Sequence, residues 1–90
     1  MSKNELIVWE LKQIARSGQK MINIQQFYQL ARKNGLVRGQ LIKEHLLTIM
    51  AQGYLTEKNP RIYELNADVL GVEPREAGKG AVVDDETKPL

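Results

Sequence analysis

The chain reads as a mostly helical α+β domain: three helices, a small antiparallel β-hairpin and a disordered C-terminal tail. Three observations carry this. Ile42, Leu46, Ile49 and Gly53 recur at spacings of four, three and four, which is one face of a helix closed by a glycine. Leu55, Tyr63 and Leu65 follow the alternation of a half-buried strand pair, with Asn59-Pro60 as its turn. Beyond Leu65 the apolar pattern fades. From Gly71 onward, glycines, prolines and the acidic run Asp84-Asp85-Glu86 leave little to bury.

The elements follow in order. Ser2-Lys3-Asn4-Glu5 fits a capping box that starts a first helix reaching about Arg16. Ile7, Leu11, Ile14 and Ala15 form its apolar stripe, widened by Leu6, Val8 and Trp9, and Gly18 ends it. Gln19 to Ile22 is a short link and a candidate third strand beside the hairpin. Asn23-Ile24-Gln25-Gln26 repeats the capping-box pattern, and Ile24, Phe27, Leu30 and Ala31 form the inward face of a second helix stopped by Asn34-Gly35. Arg32 and Lys33 in its last turn match the negative end of the helix dipole. Leu36 turns into the core. The third helix runs from near Arg38 to Gln52, with Gly39 as a weak cap, because no Ser, Thr, Asp or Asn precedes it. Two frames fit this helix, one with Ile42 inward and one with Leu41 inward. Ala67-Asp68-Val69-Leu70 offers one more turn to dock. The domain is bounded at residues 1–66, with residues 67–90 as an acidic tail.

Ninety residues suit one small domain without disulfides, since there is no cysteine. Residues 1–65 hold ten basic side chains against five acidic ones, and residues 66–90 hold three against six. A basic body therefore carries an acidic tail, and a basic body favours a polyanionic partner. No apolar run approaches the ~20 residues that cross a bilayer. The polar start Met1-Ser2-Lys3-Asn4-Glu5 is unlike a signal peptide. The expectation is a soluble cytoplasmic protein that makes no membrane contact.

An enzyme is hard to assemble from these residues. There is one histidine, His45, no aspartate before Asp68, and the only serines, Ser2 and Ser17, lie near helix ends. A nucleophile, a base and an orienting acid do not come together, and no His, Cys, Asp or Glu cluster offers a metal or cofactor site. Gly78-Lys79-Gly80 lacks the strand-to-helix context of a phosphate loop. Trp9 reads as a core or part-buried residue, Tyr28 and Tyr54 as edges of the core, and His45 as a boundary residue.

Helix, short strand, helix, turn, helix, hairpin over residues 3–66 resembles the winged helix-turn-helix family of DNA-binding domains. The resemblance rests on Leu30-Ala31, on Gly35-Leu36, on Ile42, Leu46, Ile49, Gly53, Tyr54 and Leu55, and on Arg61, Tyr63 and Leu65 in the returning strand. It implies a transcription regulator that binds double-stranded DNA as a homodimer, with the third helix in the major groove and the hairpin as a basic wing. On that reading Arg38, Gln40 and Lys43 meet base edges or phosphates, and Gly39 lets the backbone approach a phosphate. Lys58 and Arg61 touch the backbone or minor groove from the wing, and Gln25 and Gln26 bond flanking phosphates. Trp9, on the first helix, becomes a dimer seam.

Three residues do not fit that picture smoothly. Leu41, Glu44 and Leu47 lie on or beside the face that would meet DNA. A carboxylate beside phosphates is unfavourable unless it reads a cytosine amino group or pairs with a lysine. The alternative is a protein-interaction module that docks a partner on the Leu41/Glu44/Leu47 face and has no functional DNA binding.

Overall fold

Ser2 starts the first helix. In the computed structural model, which describes residues 1–72, the Ser2 hydroxyl accepts from the Glu5 amide at 3.1 Å and the Glu5 carboxylate accepts from the Ser2 amide at 2.8 Å. Both halves of the expected capping box are present. The bond from the Ser2 backbone holds the Glu5 carboxyl below its usual range. Seven elements follow: α1 (Lys3–Arg16), β1 (Met21–Asn23), α2 (Ile24–Lys33), α3 (Gly39–Ala51), β2 (Leu55–Asn59), β3 (Ile62–Leu65) and α4 (Ala67–Leu70). The strands form one antiparallel sheet in the order β1-β3-β2. The result is a small, mostly helical α+β fold. No helix among the described residues is long and apolar enough to cross a membrane.

The link before α2 does join the hairpin as a third strand, pairing Ile22 with Tyr63. Asn23 then caps α2 by accepting from the Gln26 amide at 2.8 Å. The reciprocal half of this second box is replaced. Gln19 Nε2 donates to the Gln26 side-chain oxygen at 3.0 Å and to the Met21 carbonyl at 2.7 Å, drawing Gln26 toward β1.

Three helices close by the same device. Gly35, Gly53 and Gly71 adopt positive φ, the left-handed backbone that lacks a penalty only for glycine. After α2, Gly35 N–H donates to the Arg32 carbonyl and Leu36 N–H to the Ala31 carbonyl. The same pair of bonds recurs as Gly53 to Met50 with Tyr54 to Ile49, and as Gly71 to Asp68 with Val72 to Ala67. Each closure satisfies helix-end carbonyls and aims the next residue at the body. Leu36 and Val72 are buried, and Tyr54 packs on the core.

The core gathers Ile7, Leu11 and Ala15 of α1, Phe27, Leu30 and Ala31 of α2, Ile42, Leu46 and Ile49 of α3, and Leu55, Tyr63 and Leu65 of the hairpin. Ile42 is fully buried, which decides the frame of α3 in its favour over Leu41. Arg38, not Gly39, stands at the N-cap of α3, and it makes no side-chain cap bond. Asn66 fastens the end of β3 to the α3–β2 junction. Its side chain donates to the Gly53 carbonyl at 2.7 Å and to Thr56 Oγ1 at 2.9 Å, and its amide donates to the Tyr54 carbonyl at 3.0 Å.

One expectation narrows and another changes. Of the core and part-buried alternatives for Trp9, 50% exposure leaves only the second. At about 100° per residue it projects about 160° away from both Ile7 and Leu11, which face inward. The body also does not end at residue 66. Residues 67–70 form α4, which packs on α1, and Leu70 and Val72 are buried. The acidic run Asp84-Asp85-Glu86 and the rest of the expected tail lie outside the described residues.

The glycines generate a paired prediction. Gly53 has a φ of +89° and room for a methyl group, its nearest contact being Val69 at 3.8 Å. Gly53→Ala should therefore cost roughly 1–2 kcal/mol, from backbone strain alone. Gly39 opens α3 with nothing within 4 Å of a built Cβ, so Gly39→Ala should stabilise by roughly 0.4–1 kcal/mol. Urea denaturation of the two variants checks both signs.

Candidate nucleic-acid interface

The exposed side of α3 follows from its buried one. Opposite Ile42, Leu46 and Ile49, the outward line runs through Gln40, Glu44 and Leu47, all exposed. Lys43 lies on one flank and Leu41 on the other. Leu41 is half-buried and packs against the core. Leu47 follows it at a spacing of six, which places the two about 120° apart around the helix, so they do not form one patch. Gln40 Nε2 donates to the Glu44 carboxylate at 3.3 Å, and Thr48 Oγ1 donates to the Glu44 carbonyl at 3.0 Å. Among the described residues Arg38, Lys43 and Glu44 make no ion pair. Among the described residues Arg38 and Lys43 are thus cations without an ion pair, at the start of a helix whose other face is locked in the core.

The hairpin turn is a second exposed region. Asn59 Oδ1 accepts from the Arg61 and Ile62 amides at 2.8 and 3.0 Å, a side chain standing in for a turn carbonyl. The Tyr63 hydroxyl donates to the Pro60 carbonyl at 3.2 Å. The ladder is irregular between Glu57 and Asn59, which leaves Lys58 at a bulge. Lys58 lies 3.4 Å from Glu64, so part of its charge is answered within the sheet. Arg61 has no ion-pair partner among the described residues.

The start of α2 and the hairpin turn are neighbours. The Ile24 amide donates to the Arg61 carbonyl at 2.8 Å, which brings exposed Gln25 to the same edge as Arg61. Gln26, expected beside it, is half-buried and already bonded to Gln19. Next to this edge, Ile24, Gln25, Tyr28, Gln29 and Arg32 line an open cleft of about 420 Å³ on α2. The Arg32 guanidinium sits 5.5 Å from the centre of the Tyr28 ring. Neither Tyr28 nor Arg32 stands out alone in the sequence. Their spacing of four on one helix was the signal that they meet.

No group of three or more His, Cys, Asp or Glu residues among those described is placed to hold a metal ion. No protein-family model matches the sequence, and no curated protein or solved structure matches it.

One titration is tied to this region. Burial, helped by the Glu57 carboxylate and by Tyr28, pushes the Tyr63 phenol above its ordinary value. The fold thus favours the neutral phenol, and the unfolded chain loses that proton first. This contribution to stability is full below the free-tyrosine pKa near ~10 and is lost as pH rises through the higher folded value. Tyr63→Phe should therefore show a smaller loss of stability between about pH 9 and 11 than the wild type does, with chemical denaturation at each pH as the readout.

Proposed function

We propose that the chain is a winged helix-turn-helix protein that binds double-stranded DNA and regulates transcription. The observation that carries this reading is the start of α3, where Arg38 and Lys43 stand exposed and without ion-pair partners among the described residues. The element order, with β1 joined to the hairpin, fits the same family. The N-terminal half of α3 enters the major groove, where Arg38 and Lys43 meet guanine edges or phosphates and Gln40 pairs with adenine. Gly39 presents bare backbone to a phosphate. Arg61 and Gln25, brought to one edge, contact the backbone beside the groove. Lys58 contributes less, because Glu64 shares its charge.

A single small module contacts little DNA, which favours a homodimer. Trp9 is the seam in this reading. It is a large apolar side chain on the outward side of α1, with Glu5 toward one end and Lys12 toward the other. Two antiparallel copies meeting at Trp9 set Glu5 of each against Lys12 of its neighbour.

A second reading rests on Leu47, which is 57% exposed beside Glu44 and suits an apolar contact with a protein partner.

Titration of random-sequence duplex with full-length protein at several salt concentrations tests the DNA reading. Affinity should fall steeply with salt, and Arg38→Ala and Lys43→Ala should each flatten the log–log slope by about 0.9 if the residue neutralises a phosphate. Loss of neither affinity nor slope in both variants would move the interface to Leu47 and a protein partner. For the seam, sedimentation should give a dimer that Trp9→Ala converts to a folded monomer; a wild-type monomer at every concentration refutes it.

A further inference from the structure

The centre of the outward face of α3 is not basic. It holds Gln40 and Glu44, one turn apart and bonded to each other at 3.3 Å. Glu44 is exposed and has no cation within ion-pair distance among the described residues. Its neighbour Lys43 projects about 100° away around the helix. A bare carboxylate pressed against a duplex is repelled by phosphates whatever the sequence. In the major groove, cytosine offers its N4 amino donor to a carboxylate, whereas guanine offers only acceptors and thymine an acceptor and a methyl group. Adenine presents a donor beside an acceptor, which matches an amide better than a carboxylate.

We propose that Glu44 is a specificity-determining residue: it selects duplexes with a cytosine under the Gln40–Glu44 turn and penalises all others. The inference rests on the DNA-binding reading above and deepens it. The bond from Gln40 fixes the Glu44 carboxylate and orients the Gln40 amide at the same time. The second amide proton and the oxygen of Gln40 remain for the N7 and N6 edges of adenine. One helical turn advances about 5.4 Å, which is between one and two base steps. The cytosine read by Glu44 and the adenine read by Gln40 therefore lie within about two base pairs of each other. Glu44 lowers affinity for random DNA, and the gain is discrimination.

The test begins with full-length wild type and a randomised duplex pool, from which the preferred site is selected. Wild type, Glu44→Ala and Glu44→Gln are then titrated on that site, on the site with each base pair changed, and on random duplex, at one salt concentration. At one cytosine position, substitution should weaken wild type about tenfold and leave Glu44→Ala unaffected. Glu44→Ala should also bind random duplex several-fold more tightly than wild type does. Glu44→Gln should shift the preference at that position from cytosine toward adenine. Wild type and Glu44→Ala with the same base preferences at every position, or Glu44→Ala no tighter on random duplex, overturns the proposal and leaves the DNA reading standing. Wild type that binds no duplex even at low salt overturns both. Glu44 is exposed and makes no core contact, so thermal melts of the three proteins should coincide to within a few degrees.

Discussion

Four residues in the middle of the sheet hold the two halves of the chain together. β3 pairs with β2, which precedes it by a turn, and with β1, which lies some forty residues earlier. Its inward residues Tyr63 and Leu65 close the core beneath α1, α2 and α3. The register Ile22 to Tyr63 fixes where α2 begins, because Asn23 is both the last residue of β1 and the N-cap of α2. From that one pairing follow the bond from Ile24 to Arg61 and the shared edge of Gln25 and Arg61. Sliding β3 by one residue would turn Tyr63 and Leu65 to solvent, so the register is strongly determined by burial.

Much of this was legible in the chain because it is local. Caps, glycine stops and the asparagine–proline turn depend on a few adjacent residues, and they appear at or within a residue of their expected places. The parts that were not legible depend on competition. Trp9 is as apolar as Ile7 and Leu11, but it stands about 160° from both around α1, a phase that the continuous apolar run over residues 6–9 hides. Leu41 and Ile42 have equal claims by composition, and the volume beneath α3 selects one. Gln26 had a choice of partner, and Gln19, seven residues earlier, took it. The docking turn at Ala67–Leu70 was legible, but the burial of Val72 beyond it was not, because a left-handed glycine interrupts the pattern after Leu70.

At the candidate site, exposure is legible in the chain and pairing is not. Arg38, Gln40, Lys43 and Glu44 follow from the inward face of α3 by subtraction, and all are exposed. Pairing is less visible from sequence. The ion pairs of Lys58 with Glu64 and of Lys33 with Glu10 answer two exposed cations without changing the count of basic residues. Surface ion pairs of this kind add little stability. Their effect here is local: they answer the charge of Lys58 and Lys33, whereas Arg38, Lys43 and Arg61 have no ion pair among the described residues.

The order β1-β3-β2 leaves the sheet with two open edges. Neither edge is a good template for another strand. β1 is three residues long. β2 carries exposed Glu57 and Lys58 and the irregularity that breaks its ladder before the turn. Short length, charge and a bulge are the means by which natural sheets resist edge-to-edge growth. The described sheet is thereby guarded against fibrous, strand-by-strand growth, which leaves the helices and the tip of the hairpin as its more open surfaces.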